Sequence, residues 1–321
     1  MTENLQWTKR LNQEKVDSAY LKIFGQKYTE YRYLWNKSGN DFLPDFPIHL
    51  DMEVIDSCNL SCGYCFRDRE VASTMGIDIN TGVKFPVQEY KDILSEGKKY
   101  GLKSINLGFS GECLMRDDIC ELIETARSYD VLDIRIITNA TLLNKDMVDR
   151  LIETPLTLFS ISVDAGSPET YKSLKGRDYF GHLEDIIKYL YARKKELKKE
   201  FPLVRASYYI SPKNSFEQKM FLEEFQDYVD FIDFQEFKDL KKLKKHDMRV
   251  DCLMPFRRLS IFANGDVAPC CSFFSKKLIV GNINNMSLKE IWDSEIVNGI
   301  RKNLIERKPM AVCEECLQSV G

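Results

Sequence analysis

Three cysteines in one short stretch, DSCNLSCGYCF, are the residues of this chain best equipped for chemistry. Cys58, Cys62 and Cys65 stand at C-x3-C-x2-C spacing. Three thiolates on one tight loop suit a cubane iron–sulfur cluster, because they can wrap three iron corners and leave the fourth iron open. Zinc wants a fourth protein ligand, and the loop offers none. An open iron can take a substrate or cofactor. A second group of thiols lies toward the carboxyl end. Cys252 and Cys270, seventeen residues apart in the intervening sequence, are followed by a C-x2-C formed by Cys313 and Cys316. Four thiolates complete either a zinc site or a fully ligated cubane. Histidine is scarce: His49, His182 and His246 are far apart, so any metal is held mainly by sulfur.

The rest of the composition is ordinary. Of 321 residues, 44% are hydrophobic and 30% charged, which excludes disordered and fibrous classes. Lys and Arg total 46 against 49 Asp and Glu, a net charge of −3, so the basic excess of a nucleic-acid binder is missing. The amino terminus, MTENLQWTKR, lacks the apolar run of a secretory signal. No stretch has the length of a membrane span. The expectation is a cytoplasmic protein, where ten cysteines speak for metal or redox chemistry rather than disulfides.

The elements that must position these thiols alternate. HLDMEVI (49–55), SINLGFS (104–110), IRIITN (134–139), LTLFSISVD (156–164), VRASYYI (204–210) and DFIDFQEF (230–237) read as strands, separated by helical segments such as 86–101, 116–129, 183–199 and 215–229. Six such units predict an α/β fold, a partial (β/α)6 barrel over 49–240 with ligands at the carboxyl ends of the strands. Before it, Tyr20, Leu21, Phe24, Tyr28, Tyr31 and Leu34 recur at helical spacing, predicting an amino-terminal helical lid or extension over 1–48. The basic run 238–249 reads as a solvated linker. After it, LSIFANGDVAPCC has the alternation and Asn-Gly turn of a hairpin, and SLKEIWDSEIVNGIRKNL reads as a helix capped by Ser287. A small α+β domain over 241–321 follows. Cys120 lies in an apolar helical row with Ile119, Leu122 and Ile123 and reads as core.

With these motifs in place, the chain resembles the radical S-adenosylmethionine (SAM) enzymes. The resemblance implies a 4Fe-4S cluster on Cys58, Cys62 and Cys65 whose open iron binds SAM, and a 5′-deoxyadenosyl radical that abstracts a substrate hydrogen. It also assigns a cofactor pocket. Ser110-Gly111-Glu112 stand where the family has Gly-Gly-Glu, and Cys113 where it has Pro. Thr138-Asn139 end the third strand as in Thr-Asn-Gly, and Ser162 and Asp164 resemble a contact to the SAM ribose. Arg177 resembles an arginine that pairs with the SAM carboxylate. Tyr64 matches an aromatic position that packs on adenine, and Phe66, beyond Cys65, belongs to the same pocket.

The carboxyl end resembles the SPASM and shorter twitch extensions of that family, down to GNINNMSLKEIW. This implies one auxiliary 4Fe-4S cluster on Cys252, Cys270, Cys313 and Cys316, moving an electron to or from a substrate radical. Cys271 can replace Cys270 as ligand or stand free as a hydrogen-atom donor; Cys270 is assigned as ligand and Cys271 as the catalytic thiol. The expected activity is oxidation or epimerisation of a carbohydrate-like small molecule, with a flavodoxin- or ferredoxin-like electron donor and no nucleic-acid or membrane partner. The alternatives are a peptide-modifying maturase and a non-catalytic iron–sulfur or zinc protein. Tyr208, Tyr209, Glu236 and Lys238 lie near late strand ends as candidates for substrate contact.

Overall fold

In the computed structural model, which describes residues 8–39, 42–236, 252–272 and 274–318, each predicted apolar run becomes a parallel strand. These are β2 (His49–Met52), β3 (Ser104–Asn106), β4 (Asp133–Thr138), β5 (Leu158–Ser162), β6 (Leu203–Ile210) and β7 (Phe231–Glu236). Each pairs in parallel with the next in sequence. Helices α4 (Val87–Tyr100), α5 (Ile119–Ser128), α6 (Lys145–Glu153), α7 (Pro168–Lys175), α8 (Phe180–Glu196) and α9 (Gln218–Phe225) fill the crossovers. The six-unit α/β partial barrel is therefore present. Three elements go beyond the sequence pattern: β1 (Thr8–Leu11), α3 (Arg69–Met75) and α6. β1 is a short polar strand with no alternation to announce it, yet it adds antiparallel to β7. In α6 the signal was available, since the Asn144 side chain accepts from Met147 N as an N-cap.

Strand alternation divides the sheet into two unlike faces. Leu50, Ile105, Ile134, Ile136, Phe159, Ile161 and Val204 face the helices and form the main core. The concave face is polar. Register sets His49 beside Ser104 and Asp133, then Asp51 beside Asn106, and Ser160 beside Arg205. Barrels of eight strands fill this face with branched apolar side chains; here carboxylates and guanidinium groups pair across it instead. Asp51 meets Arg258 Nη1 at 3.0 Å, Asp233 meets Arg205 Nη1 at 3.1 Å, and Asp133 pairs with Arg135.

The amino-terminal helices α1 (Gln13–Phe24) and α2 (Gln26–Lys37) close one end of this lumen. Val16, Ala19, Tyr20, Tyr28 and Tyr31 pack on Ile48, Leu132, Leu158, Leu203 and Phe231, all at the amino ends of strands. The helices thus lie under the barrel, at the end opposite the cysteine loop. Two tyrosines reach inward. Tyr20 Oη donates to Asp133 Oδ1 at 2.7 Å, and Tyr31 Oη to Oδ2 at 3.4 Å.

The carboxy-terminal unit joins the same sheet. β8 (Arg258–Ile261) pairs in parallel with β2, and β9 (Asp266–Ala268) and β10 (Gly281–Asn282) extend it antiparallel. The β8–β9 hairpin turns at Asn264-Gly265, with Gly265 at φ +89°. Ser287 caps as expected, in a reciprocal arrangement with Glu290. The single helix expected after it is two, α10 (Leu288–Trp292) and α11 (Glu295–Ile305). Ser294 causes the break, because its side chain accepts from Val297 N and starts a new helix. Glu96 of α4 accepts from Leu288 N and Lys289 N at 3.0 Å each, fixing this unit to the barrel. The linker reading of 238–249, the 240/241 boundary and Lys238 lie outside the described residues, as does the side chain of Glu236. No described helix is long and apolar enough to cross a membrane.

Candidate active site

The first cysteine motif, Ser110-Gly111-Glu112, Asn139 and Asp164 fall in loops that follow β2, β3, β4 and β5, and Thr138 and Ser162 are the last residues of β4 and β5, as parallel β/α geometry requires. The loop after β2 carries Cys58, Cys62 and Cys65, none in a disulfide. It is held from several sides. Cys65 N donates to Cys62 O at 3.0 Å, Glu112 N to Ser57 O at 2.8 Å, and Cys58 N to Asn80 Oδ1 at 2.9 Å. Gly111, at φ +76°, is required here. A Cβ there would lie 2.5 Å from Ile55 O and 2.7 Å from Ser57 O, so a side chain would push the cysteine loop away.

Glu112 is buried beside this loop. Its carboxylate accepts from Thr138 Oγ1 at 2.6 Å, Asn139 N at 2.8 Å and Leu114 N at 3.1 Å. Burial nonetheless pushes its carboxyl above the usual range, against those bonds. Asn139 Nδ2 donates to Asn59 Oδ1 at 3.0 Å and lies 3.8 Å from Cys58 Sγ. Glu112, Thr138 and Asn139 therefore form one unit against the cysteine loop. Cys113 and Cys120 are buried, and burial pushes the Cys113 thiol up.

On the other side, Asp164 has φ +64°, a left-handed conformation that turns its carboxylate into the site. It accepts from Tyr64 Oη and Tyr209 N at 2.7 Å each and pairs with Lys175. Tyr64 stacks on Tyr209, ring centroids 5.2 Å apart. Arg177, assigned by resemblance to a carboxylate contact, is exposed beyond the end of α7. The buried cation at this point is Lys175, whose ammonium is stabilised by Asp164 against the cost of burial. Ser162 is half-buried at the end of β5, and Phe66 half-buried beside Cys65. Tyr208 is a correction: it faces the helices, packed on Phe221 and Phe234, with its hydroxyl on Asn214 O, and cannot contact a substrate in the lumen.

Two charged residues carry the loop without having been singled out in the sequence. Arg67 is buried and pairs with Glu53 and with Asp56 at 2.6 Å, while its Nε donates to Ser110 Oγ at 3.2 Å. Lys276, from the carboxy-terminal unit, reaches Glu53 and Asp56 at 3.9 and 4.0 Å.

The second thiol group is assembled from three segments. Cys252 precedes the turn into β8, Cys270 and Cys271 follow β9, and Cys313 and Cys316 sit one turn apart on α12 (Ala311–Gln318). Burial, with the neighbouring Cys316, Cys313 and Cys271 adding to it, pushes Cys252 up to about 11. Cys270 is pushed up to about 12 by burial, with Cys252 and Cys316 adding to it. Cys271 instead accepts from Arg258 Nη1 at 3.1 Å, on the lumen face of β8. Among the described residues, no three His, Cys, Asp or Glu side chains converge as ligands of one metal ion would. Thiolates around a cubane each take a separate iron, and desolvated thiols on loops suit that soft, positively charged group.

Residues 52–204 match the family model of the Radical SAM superfamily, and residues 252–317 that of the SPASM iron–sulfur cluster-binding domain. Among curated proteins the chain is similar to the probable GTP 3′,8-cyclase of Methanocaldococcus jannaschii, 32% identical over 138 residues, which are 43% of this chain and 42% of that protein. It thus matches about two fifths of the length of such relatives. In structure it is similar to Streptococcus suis SuiB bound to S-adenosylmethionine, with a TM-score of 0.62 at 18% identity, over 92% of this chain and 76% of that one. It is also similar to BtrN in complex with AdoMet and 2-DOIA, with a TM-score of 0.53 at 15% identity, over 86% and 93%. At these identities the likeness is one of fold. From the cysteine loop at the mouth of its barrel to the thiols behind β9, this chain carries a radical SAM domain over residues 52–204 and a SPASM domain over residues 252–317, which imply a SAM-binding 4Fe-4S cluster and an auxiliary cluster.

Proposed function

We propose that this protein oxidises or epimerises a small, polar, carbohydrate-like molecule held in the barrel lumen. The observation that carries this reading is the concave face itself. Its guanidinium, carboxylate and hydroxyl groups are arranged as ordered donors and acceptors, and its floor is sealed by Tyr20 and Tyr31. Substrate hydroxyls both donate and accept, so they can join such a wall of polar groups, which an apolar ligand cannot. BtrN, solved with 2-DOIA, has the same fold.

With SAM bound at its open iron, the cluster would supply radical chemistry for hydrogen-atom abstraction. The chain's own residues do the positioning. Cys58, Cys62 and Cys65 would hold the cluster. Ser110, Gly111, Glu112, Thr138, Asn139, Ser162, Asp164, Tyr64 and Phe66 would form the SAM pocket, with Lys175 as its buried cation. Cys252, Cys270, Cys313 and Cys316 would hold the auxiliary cluster as an electron relay, and Cys271, kept on the lumen side by Arg258, would return a hydrogen atom in an epimerisation. A flavodoxin- or ferredoxin-like protein would supply electrons. A peptide substrate is the second reading, favoured by the fit to SuiB, which has been solved with its precursor peptide SuiA.

The test is anaerobic turnover with dithionite and SAM in D2O, offering an aminocyclitol and sugar panel, a peptide panel and GTP. Deuterium gained at a carbon of a sugar or cyclitol without oxidation identifies an epimerase, and loss of a hydrogen pair a dehydrogenase. Modification of the peptide or GTP alone overturns the small-carbohydrate reading.

A further inference from the structure

Arg257 and Arg258 stand at the entry to β8, between the auxiliary thiols and the lumen. Arg257 is 3% exposed, yet among the described residues its Nε and Nη2 find no acceptor, and neither does Arg258 Nε. Buried guanidinium N–H groups without a partner are costly and need a reason. Both side chains are held against one ring: the guanidinium carbons lie 5.2 and 5.3 Å from the centre of Trp35 in α2, with Arg32 at 5.9 Å. Arg258 is balanced by Asp51 and touches Cys271 Sγ. Among the described residues no carboxylate pairs with Arg257, and Cys252 stands five residues before it, across the turn in which Arg257 N donates to Met254 O at 3.0 Å. Burial, with Arg258 and Arg32 beside it, lowers its pKa to about 10, which leaves it charged at neutral pH.

We infer that Arg257 and Arg258, clamped by Trp35, are the residues that tune the auxiliary cluster: they would place positive charge near its cysteines, Arg258 through its contact with Cys271 Sγ and Arg257 through the turn that follows Cys252, so that the cluster accepts an electron more readily. A cubane with four thiolates is an anion whose charge grows by one on reduction. Nearby cations and hydrogen bonds to sulfur favour the reduced form and raise the potential. The same charges explain why three arginines are gathered near one carboxylate in a buried place: the anion they balance is the cluster. The amino-terminal helices acquire a second role, since Trp35 fixes where the guanidinium groups stand. This inference rests on the auxiliary ligand assignment.

The experiment uses the full chain with Cys58, Cys62 and Cys65 all replaced by Ala, reconstituted anaerobically so that only auxiliary iron remains, and follows its reduction by EPR during a redox titration. Arg257→Leu in this background should lower the equilibrium constant for reduction at least tenfold, about 59 mV for one electron. Trp35→Leu should give a smaller fall in the same direction. If Arg257→Leu does not retain four irons, Arg257→Gln, which keeps N–H groups but loses the charge, is titrated instead with the same expectation. A potential unchanged within twofold in an iron-replete Arg257 variant overturns the inference. If the triple cysteine variant itself holds no iron, the ligand assignment falls, and the inference with it.

Discussion

At the mouth of the barrel the backbone leaves regular geometry: Gly111 and Asp164 sit at positive φ, and charged groups are buried beside loops. At the floor, α1 and α2 cover strand ends with tyrosine rings, and one carboxylate, Asp133, gathers Tyr20, Thr157 and Arg135. Both ends bury charge, but for different purposes. Asp133 has its partners in the protein, and they hold its carboxyl at about 2 although burial pushes it up. Glu112 also accepts three hydrogen bonds, yet its carboxyl remains raised. A buried carboxylate left above its ordinary range is one that a bound cationic group would stabilise further. The floor is therefore satisfied from within the protein, and the mouth is where the proposed ligand would bind.

Substitutions can break that contrast. Cys62→Ala should take 5′-deoxyadenosine formation to the assay background while leaving auxiliary iron and the thermal melt in place. Asp133→Ala should do the reverse, costing about 3–5 kcal/mol in denaturant melts because Arg135 loses its buried partner, with iron content unchanged once folded. The acid limb sharpens the comparison. Asp133, held at about 2 against about 3.9 when unfolded, contributes stability that is present above pH 4 and lost as pH falls through 2. Asp133→Asn should remove about 2–3 kcal/mol of that acid-dependent loss, read from melts between pH 2 and 5. Gly111→Ala should cost about 1–3 kcal/mol in denaturant melts and lower iron loading at the mouth. Tyr20→Phe should cost about 1 kcal/mol, since Asp133 keeps its other partners, and leave SAM cleavage as it was.

The barrel was legible because strand segments rich in β-branched and aromatic residues alternate with helical segments, and all six strands appear within a few residues of expectation. The cysteine loop was legible because its three thiols are local. What escaped notice depends on side chains meeting from distant segments. Lys175 and Arg177 are two residues apart, and only the turn of α7 decides which one is buried. Arg67 matters through Glu53 and Asp56, and nothing in its neighbours' identity announces that pairing. The polar lumen was also hidden, because strands such as HLDM alternate like surface strands, and only closure of the sheet makes that polar face an interior.

Main-chain pairing of β8 with β2 has a consequence for electron flow. Cys58 leaves from the end of β2, while Cys252 and Cys271 flank the hairpin that begins with β8. Adjacent strands stand about 4.8 Å apart and cannot slide without breaking their ladder. The auxiliary site is thus riveted to the same lattice of hydrogen bonds as the first, rather than hung on a hinge. Tunnelling falls off steeply with separation, and here that separation is a built-in ruler. Any clusters held by the loop after β2 and by the hairpin that begins with β8 would therefore keep a spacing set by that ladder.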